Sequence, residues 1–364
     1  MRKIANGATT CQVLQFVGEM PLVDLHYRAT VKVRSMQPQP PALIVVGLPR
    51  SGSSFLAHVL STLKDLWVFD DLYVLQKAEA ITLGPMDDDQ LVRFVDRLAW
   101  ETRARVKWER DFDTPAVTLD DIDQMELDLL ERHRGTQPLW HDVADEWVTG
   151  LAAANECSQW GYKTPQDFLH LERLHEVWPD ARFVHLLRDP RDIMRSYKNL
   201  EVSKGGDGDP RSYHPIAYSL YWRMSQRRLQ AAKQRGTLEV ETVRFEQLVS
   251  HPDVVAERLA SFLSTSTTRT AEVESHNSSL RQGSQRVLTD TEQWICQRLA
   301  GPELAAAGYG LRPVHPHLRD SIELLRVTKD FVVFQVGRAV SDPEKRRSVL
   351  NVATNILRGK NKET

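Results

Sequence analysis

Ala42-Leu-Ile-Val-Val-Gly-Leu-Pro-Arg-Ser-Gly-Ser-Ser-Phe-Leu56 is the stretch on which the rest of the chain turns. Leu43 to Val46 form an unbroken aliphatic run, the pattern of a parallel strand buried on both faces. Gly47, Pro49 and Gly52 punctuate a tight loop. From Ser54 the apolar positions Phe55, Leu56, Val59, Leu60 and Leu63 fall at helical spacing. A strand that passes through a glycine loop into a helix start leaves unpaired backbone N–H groups aimed at one spot. Such a spot attracts a phosphate.

The loop itself narrows the choice of phosphate. Gly47-x4-Gly52 imitates a nucleotide triphosphatase loop, but that motif requires Lys followed by Ser or Thr after the second glycine, where this chain has Ser53 and Ser54. The cation lies inside the loop instead, at Arg50. One arginine and two hydroxyls suit a single 5′-phosphate bearing a less charged group better than a triphosphate tail. A generic phosphate loop, and with it a kinase or NTPase, is the competing reading at this point.

A second stretch bears on that choice: Ala181-Arg-Phe-Val-His-Leu-Leu-Arg-Asp-Pro-Arg-Asp-Ile-Met-Arg-Ser-Tyr197. Phe183 to Leu187 read as another buried strand, Asp189 and Pro190 as a helix start, and Ser196 as a position within that helix. Arg188 and Ser196 are then placed to reach one anion from two directions. Together the two stretches resemble sulfotransferases that use 3′-phosphoadenosine-5′-phosphosulfate (PAPS). Pro49 to Ser54 match the family's P-[KR]-[SA]-G-[ST]-[ST] loop, and Arg188 to Ser196 match its R-[DN]-P-R-D-x3-S segment.

Softer likenesses extend the match over about residues 42–312. Gly161-Tyr-Lys-Thr-Pro165 resembles the family's Lys-Thr segment, and Val243-Arg-Phe-Glu-Gln-Leu-Val249 a strand and helix start written V-x-[YF]-E-[DQ]-L-V. Ser279-Leu-Arg-Gln-Gly283 is weakly similar to an arginine-bearing loop, and Ala307-Gly-Tyr-Gly310 to the end of the Golgi and bacterial branch. The resemblance implies an α/β fold of three layers, a P-loop-type parallel sheet flanked by helices. It implies that Arg50, Ser51, Gly52, Ser53, Ser54 and Phe55 hold the 5′-phosphosulfate. Arg188 and Ser196, with Arg281 and Gly283, would hold the 3′-phosphate, and Lys163 and Arg50 would act on the transferred sulfuryl group. The donor would be PAPS, the product 3′,5′-adenosine bisphosphate, and no metal is expected because a sulfuryl group carries less charge than a phosphoryl group.

The acceptor hydroxyl must lose a proton as it attacks, so a base is needed. Asp70-Asp71 follow the short apolar run Trp67 to Phe69, and ligands of open α/β sheets collect outside the carboxyl ends of strands. In related branches an acidic residue about twenty positions after the loop is the base; Asp71, 21 positions after Arg50, fits that place, with Asp70 its neighbour. Where some relatives carry a histidine after the Lys-Thr pair, Pro165 stands here. The alternative is that both aspartates cap the next helix.

Composition agrees with such an enzyme. The 364 residues are 41% hydrophobic and 26% charged, enough for one large domain with extensions, and a formal charge of −2 gives no reason to expect nucleic acid as a partner. Cys11, Cys157 and Cys296 have neither zinc spacing nor a disulfide framework, which favours a reducing compartment. No apolar run is long enough to span a membrane and the start lacks a signal-peptide core, so a cytoplasmic, bacterial enzyme is expected.

The chain divides into an N-terminal extension and connector (1–41), a sulfotransferase domain (42–312) and a helical C-terminal extension (313–364). Val13 to Val33 carry near-helical apolar spacing, and residues 77–160 read as a helical insertion with starts at Asp87 and Asp120 and a third helix from Val143 to Glu156. That insertion suggests an acceptor lid, with Trp100, Trp108, Trp140 and Trp147 either lining it or simply packing helices. His133, His141 and His170 have no metal spacing. A strand is expected from Leu238 to Phe245 and a Thr-capped helix from Thr289 to Leu299. Residues 345–358 form a basic amphipathic end suited to a homodimer partner, to the chain's own domain, or to peripheral contact with an anionic membrane. The sequence leaves open which hydroxyl-bearing acceptor is used, glycan, lipid, metabolite or tyrosine, and whether the chain is instead a nucleotide-binding relative without turnover.

Overall fold

The computed structural model describes residues 37–39, 41–108, 115–200, 209–267 and 286–341, together with positions 346, 350 and 354. The apolar segment 13–33, the loop residues Arg281 and Gly283, Cys11, and most of 204–210 and 345–358 lie outside the described residues.

In chain order the elements are β1 (Leu43–Gly47), α1 (Ser53–Leu60), β2 (Leu66–Asp70), α2 (Val74–Glu79), α3 (Asp88–Trp108), α4 (Leu119–His133), α5 (Trp140–Ala154) and β3 (Gln159–Lys163). They continue with α6 (Leu171–Val177), β4 (Arg182–Leu187), α7 (Pro190–Lys198), α8 (Pro215–Arg235), β5 (Val240–Arg244), α9 (Phe245–Ser250), α10 (Pro252–Phe262), α11 (Asp290–Ala306) and α12 (Ser321–Ser341). The five strands pair in the order β2-β3-β1-β4-β5, all parallel.

Period-two alternation builds the layers. Ile44, Val46, Phe69, Tyr162 and Phe183 face one way, into a core shared with α3, α5 and α8. Leu43, Val45, Val68, Val184 and Val243 face the other, against α1 and α10. Both faces are covered, so β1 reads as a continuous apolar run, the signature noted in Leu43 to Val46.

Local signals set most boundaries. Thr118 and Thr289 each form a reciprocal capping box, with Asp121 and Glu292 respectively. Asp87 and Gln90 exchange the same pair of bonds at the start of α3. Three expectations shift, one of them at α11, where the helix expected from Thr289 to Leu299 runs on to Ala306. The strand expected to reach Phe245 stops at Arg244, and Phe245 opens α9. The helix expected over Val143 to Glu156 begins at Trp140 and ends at Ala154, because the chain turns through Glu156 in the left-handed region, φ 58°.

The tryptophans divide. Trp140 and Trp147 are core residues, the first edge-on to Trp178 and the second donating its Nε1–H to Thr102 Oγ1 at 3.1 Å. Both are therefore packing residues rather than substrate contacts. Trp100 is 60% exposed. His133 bonds the Glu146 carboxylate, and His170 sits 3.9 Å from Glu79.

Asp145 on α5 accepts Trp178 Nε1–H on both oxygens, at 3.1 and 3.2 Å, in a setting dry enough that burial pushes its carboxyl up to about 8. Because the folded form holds its proton above the unfolded value, this group's contribution is complete at acid pH and is lost as pH rises toward 8. Stability should accordingly decline over pH 4 to 8, with this group contributing at most about 1.4 kcal/mol per pH unit. Urea melts of Asp145→Asn should show a flatter decline than the parent; an unchanged slope would contradict the assignment.

Candidate active site

All five strands point their carboxyl ends the same way, so the loops after β1, β2, β3 and β4 converge. The loop after β1 is closed by Ser51 N–H donating to Leu48 O, and it enters α1 through Gly52 at φ 97°. No side chain caps α1, so its first-turn N–H groups remain available to an anion. Arg50 is held at φ 68° and exposed, whereas Ser51 is buried with its Oγ unpaired. Ser53 is buried; Ser54 and Phe55 are half-buried at the helix start.

Arg50 Nε donates to Ser196 Oγ at 3.3 Å, joining positions 146 residues apart. Arg188 approaches the same loop, its Nη1 donating to Arg50 O at 3.0 Å while its Nε is buried without a partner. The backbone of Arg188 is pinned by Trp222 Nε1–H on its carbonyl, and burial pulls the guanidinium pKa down. Its Cζ lies 3.9 Å from the Phe245 ring centroid. The same ring stands beside Gly52, where an added Cβ would come within 2.3 Å of Phe245 Cε2. One aromatic ring thus adjoins both the glycine of the first loop and the arginine of the second.

Gly52→Ala meets two obstacles, the ring and a backbone conformation costly for an L side chain. Affinity for 3′,5′-adenosine bisphosphate should fall at least about tenfold, as the loop must shift to clear the ring. Calorimetric titration measures it, and unaltered affinity would mean that the loop geometry is not what holds the anion.

The second cation of the Arg-Asp-Pro-Arg-Asp segment has a different task. Asp189 caps α7 by accepting Arg191 N–H, and the Arg191 guanidinium is occupied by Asp189, Gln297 and the Gly310 carbonyl. Arg191 ties α7 to the chain beyond α11 and is not free for a ligand.

At the other edge, Asp70 and Lys163 are register partners on β2 and β3. Lys163 Nζ lies 2.6 Å from Asp70 Oδ1 and 2.6 Å from Asp71 Oδ1. Burial alone would lower the Lys163 pKa, but Asp70 and then Asp71 outweigh it, so the ammonium is held charged. Asp70 is fully buried, and the Asp71 side chain is 27% exposed with its backbone at φ 58°. Neither caps α2, which starts after Tyr73 without a side-chain cap. Thr164 Oγ1 instead accepts Tyr73 N–H at 3.0 Å, fixing the turn that carries Asp71.

Two contributors had no sequence signal. Arg105, in the last turn of α3, donates to the Asp70 carbonyl. Asp167 accepts Tyr162 O–H and a Gln76 N–H beneath the same corner, and burial pushes its carboxyl up to about 7. Nothing in local spacing predicts a contact across 35 positions.

Among the described residues, no group of three or more His, Cys, Asp or Glu is placed to hold a metal ion, and no helix is long and apolar enough to cross a membrane. No curated protein sequence matches the chain. Among solved structures, the sulfotransferase domain of the Synechococcus PCC 7002 olefin synthase is 18% identical, with 76% of this chain and 97% of that domain covered at a TM-score of 0.48. The sulfotransferase domain from the curacin biosynthetic pathway is 17% identical over 75% and 99%, TM-score 0.45. Sulfotransferase STF9 from Mycobacterium avium is 18% identical over 77% and 79%, TM-score 0.43. The profile of the Sulfotransferase family matches residues 41–269, a span that takes in the loop after β1, α7 and the Lys163 corner, and the chain belongs to that family.

Proposed function

We propose that this enzyme moves a sulfuryl group from PAPS to an acceptor hydroxyl by in-line displacement. The observation that carries the reading is the contact between Arg50 and Ser196, which brings the loop after β1 and α7 together. Residues present fit a nucleotide phosphorylated at both ends. Ser51 Oγ and Arg188 Nε are buried polar atoms without partners, the state expected of groups that wait for an anion.

The donor, when bound, supplies an activated sulfur whose leaving group is a phosphate oxygen. The N–H groups of Ser53, Ser54 and Phe55, with Arg50, hold that phosphate and the charge it gains as the old S–O bond breaks. Arg188 and Ser196 grip the 3′-phosphate and set the register, a task for which the planar guanidinium fork is well suited. Asp71 takes the proton of the acceptor hydroxyl as the new S–O bond forms. Lys163 faces the sulfuryl oxygens, kept cationic by Asp70 after Asp71 has been neutralised. α3 to α5, which lie between β2 and β3 in the chain, would shape the acceptor entrance, and the acceptor would be a hydroxyl compound.

Calorimetry against 3′,5′-adenosine bisphosphate and against Mg-ATP tests the donor. Tighter binding of Mg-ATP would overturn the proposal in favour of phosphoryl chemistry. Mass spectrometry of candidate acceptors incubated with enzyme and PAPS, reading the gain of one SO₃, identifies the product.

A further inference from the structure

α12 is attached to the rest of the chain along one stripe. Thr328 Oγ1 meets His214 Nε2 at 3.1 Å, the Phe331 ring packs 5.1 Å from the His214 ring, and Arg211 lies 5.7 Å from the Phe334 ring centroid. Leu324, Val327, Phe331 and Phe334 on this side are half-buried. A helix with one apolar stripe docked should present a polar opposite face.

It does not. Ile322, Leu325, Val332, Val336 and Val340 lie on the far side, with Leu318 in the turn just before the helix, each between 52% and 92% exposed. From Leu318 to Val336 the spacing follows a heptad seam interrupted by Lys329, Val340 falls one position beyond it, and Gly337 beside them has nothing within 4 Å of where a side chain would begin. Together they expose on the order of 700 Å² of side chain, more than the about 300–600 Å² of the largest patch on a typical monomer.

We infer that this face of α12 binds the α12 of a second copy, making the enzyme a helix-paired homodimer. Two features select that occupant. Each copy would bury close to the about 800 Å² that one partner contributes to a standard stable interface. The exposed rim is balanced, Arg319 and Arg326 against Glu323 and Asp330, as a surface that must complement itself requires. An anionic membrane would instead select a rim of one sign. Lys329 in the seam sets register at some cost in stability, its stem lying along the apolar row and its ammonium reaching water.

Sedimentation velocity on the full chain is the test, with Leu325→Glu/Val336→Glu as the variant, since both side chains are exposed and the substitution leaves each chain's own packing alone. The parent should sediment as a dimer, twice the 41.6 kDa chain, at about 50 µM and below. The variant should be monomeric, its dimer weakened at least about a hundredfold, with affinity for 3′,5′-adenosine bisphosphate unchanged. A monomeric parent overturns the inference, as does a variant that remains dimeric. A parent that stays monomeric and pellets with phosphatidylserine vesicles would assign the face to a membrane. A monomeric parent whose thermal midpoint drops in the variant would assign it to another segment of its own chain.

Discussion

Asp71→Asn is expected to lower kcat by about 10²- to 10⁴-fold, the usual worth of a positioned general base, while 3′,5′-adenosine bisphosphate binds with little change. The expectation depends on the unequal surroundings of two adjacent carboxylates. Asp70 is fully buried and faces Lys163 across the β2–β3 register, so it cannot meet an acceptor that arrives from solvent. Asp71 lies one residue further, past the end of the strand, where a left-handed turn exposes it while keeping Oδ1 2.6 Å from Lys163. Asp70→Asn should behave differently. It removes the larger of the two influences that raise the Lys163 pKa and leaves burial to lower it. Since only the charged ammonium stabilises sulfuryl oxygens, the alkaline limb of the pH–rate profile should move to lower pH in Asp70→Asn. Stability should also fall, by less than the about 3–5 kcal/mol of a buried charge left unpaired, because Asp71 remains 2.6 Å from Lys163. If Asp70→Asn instead lost turnover with an unmoved profile while Asp71→Asn retained it, the two roles would have to be exchanged.

The asymmetry between those aspartates marks the limit of what the chain's spelling reveals. The strand-loop-helix reading of Ala42 to Leu56 and the placement of Arg188 after a buried strand are local facts, fixed by apolar periodicity and by glycine and proline punctuation; the structure reproduces both. That Asp70 and Lys163 are neighbours follows from the pairing of β2 with β3, which are separated by four helices. Periodicity is silent about such pairing. The same holds for Trp140 and Trp147, whose burial depends on where α5 lands, and for Arg191, whose charge looks free in sequence until Asp189 and the Gly310 carbonyl claim it. Phe245 is the reverse case. Its segment stood out in the sequence, but its use, as a ring that adjoins both Gly52 and Arg188, belongs to the meeting of two loops that are far apart in the chain.

Arg188→Ala should weaken binding of 3′,5′-adenosine bisphosphate by about 10²-fold, since hydrogen bonds to a charged group are worth about 1.5–3 kcal/mol and a fork makes two. At saturating donor the loss should fall on KM far more than on kcat, because the 3′-phosphate is bound alike in ground and transition states. Arg188→Lys should recover only part of the affinity: a point charge neither forks onto phosphate nor offers a planar group to the Phe245 ring. Phe245→Leu then isolates the ring. A stacked cation gains about 0.5–2 kcal/mol from an aromatic face, so affinity should fall by up to about thirtyfold with the charge still in place. The decisive measurement is the double-mutant cycle. If the ring acts through the guanidinium, Phe245→Leu should cost much less in an Arg188→Ala background than alone. What remains in that background measures the support the ring gives to Gly52 and the first loop. Additive losses would mean that the ring does not couple the two loops, and that they are joined by the hydrogen bonds from Arg50 to Ser196 and from Arg188 to the Arg50 carbonyl.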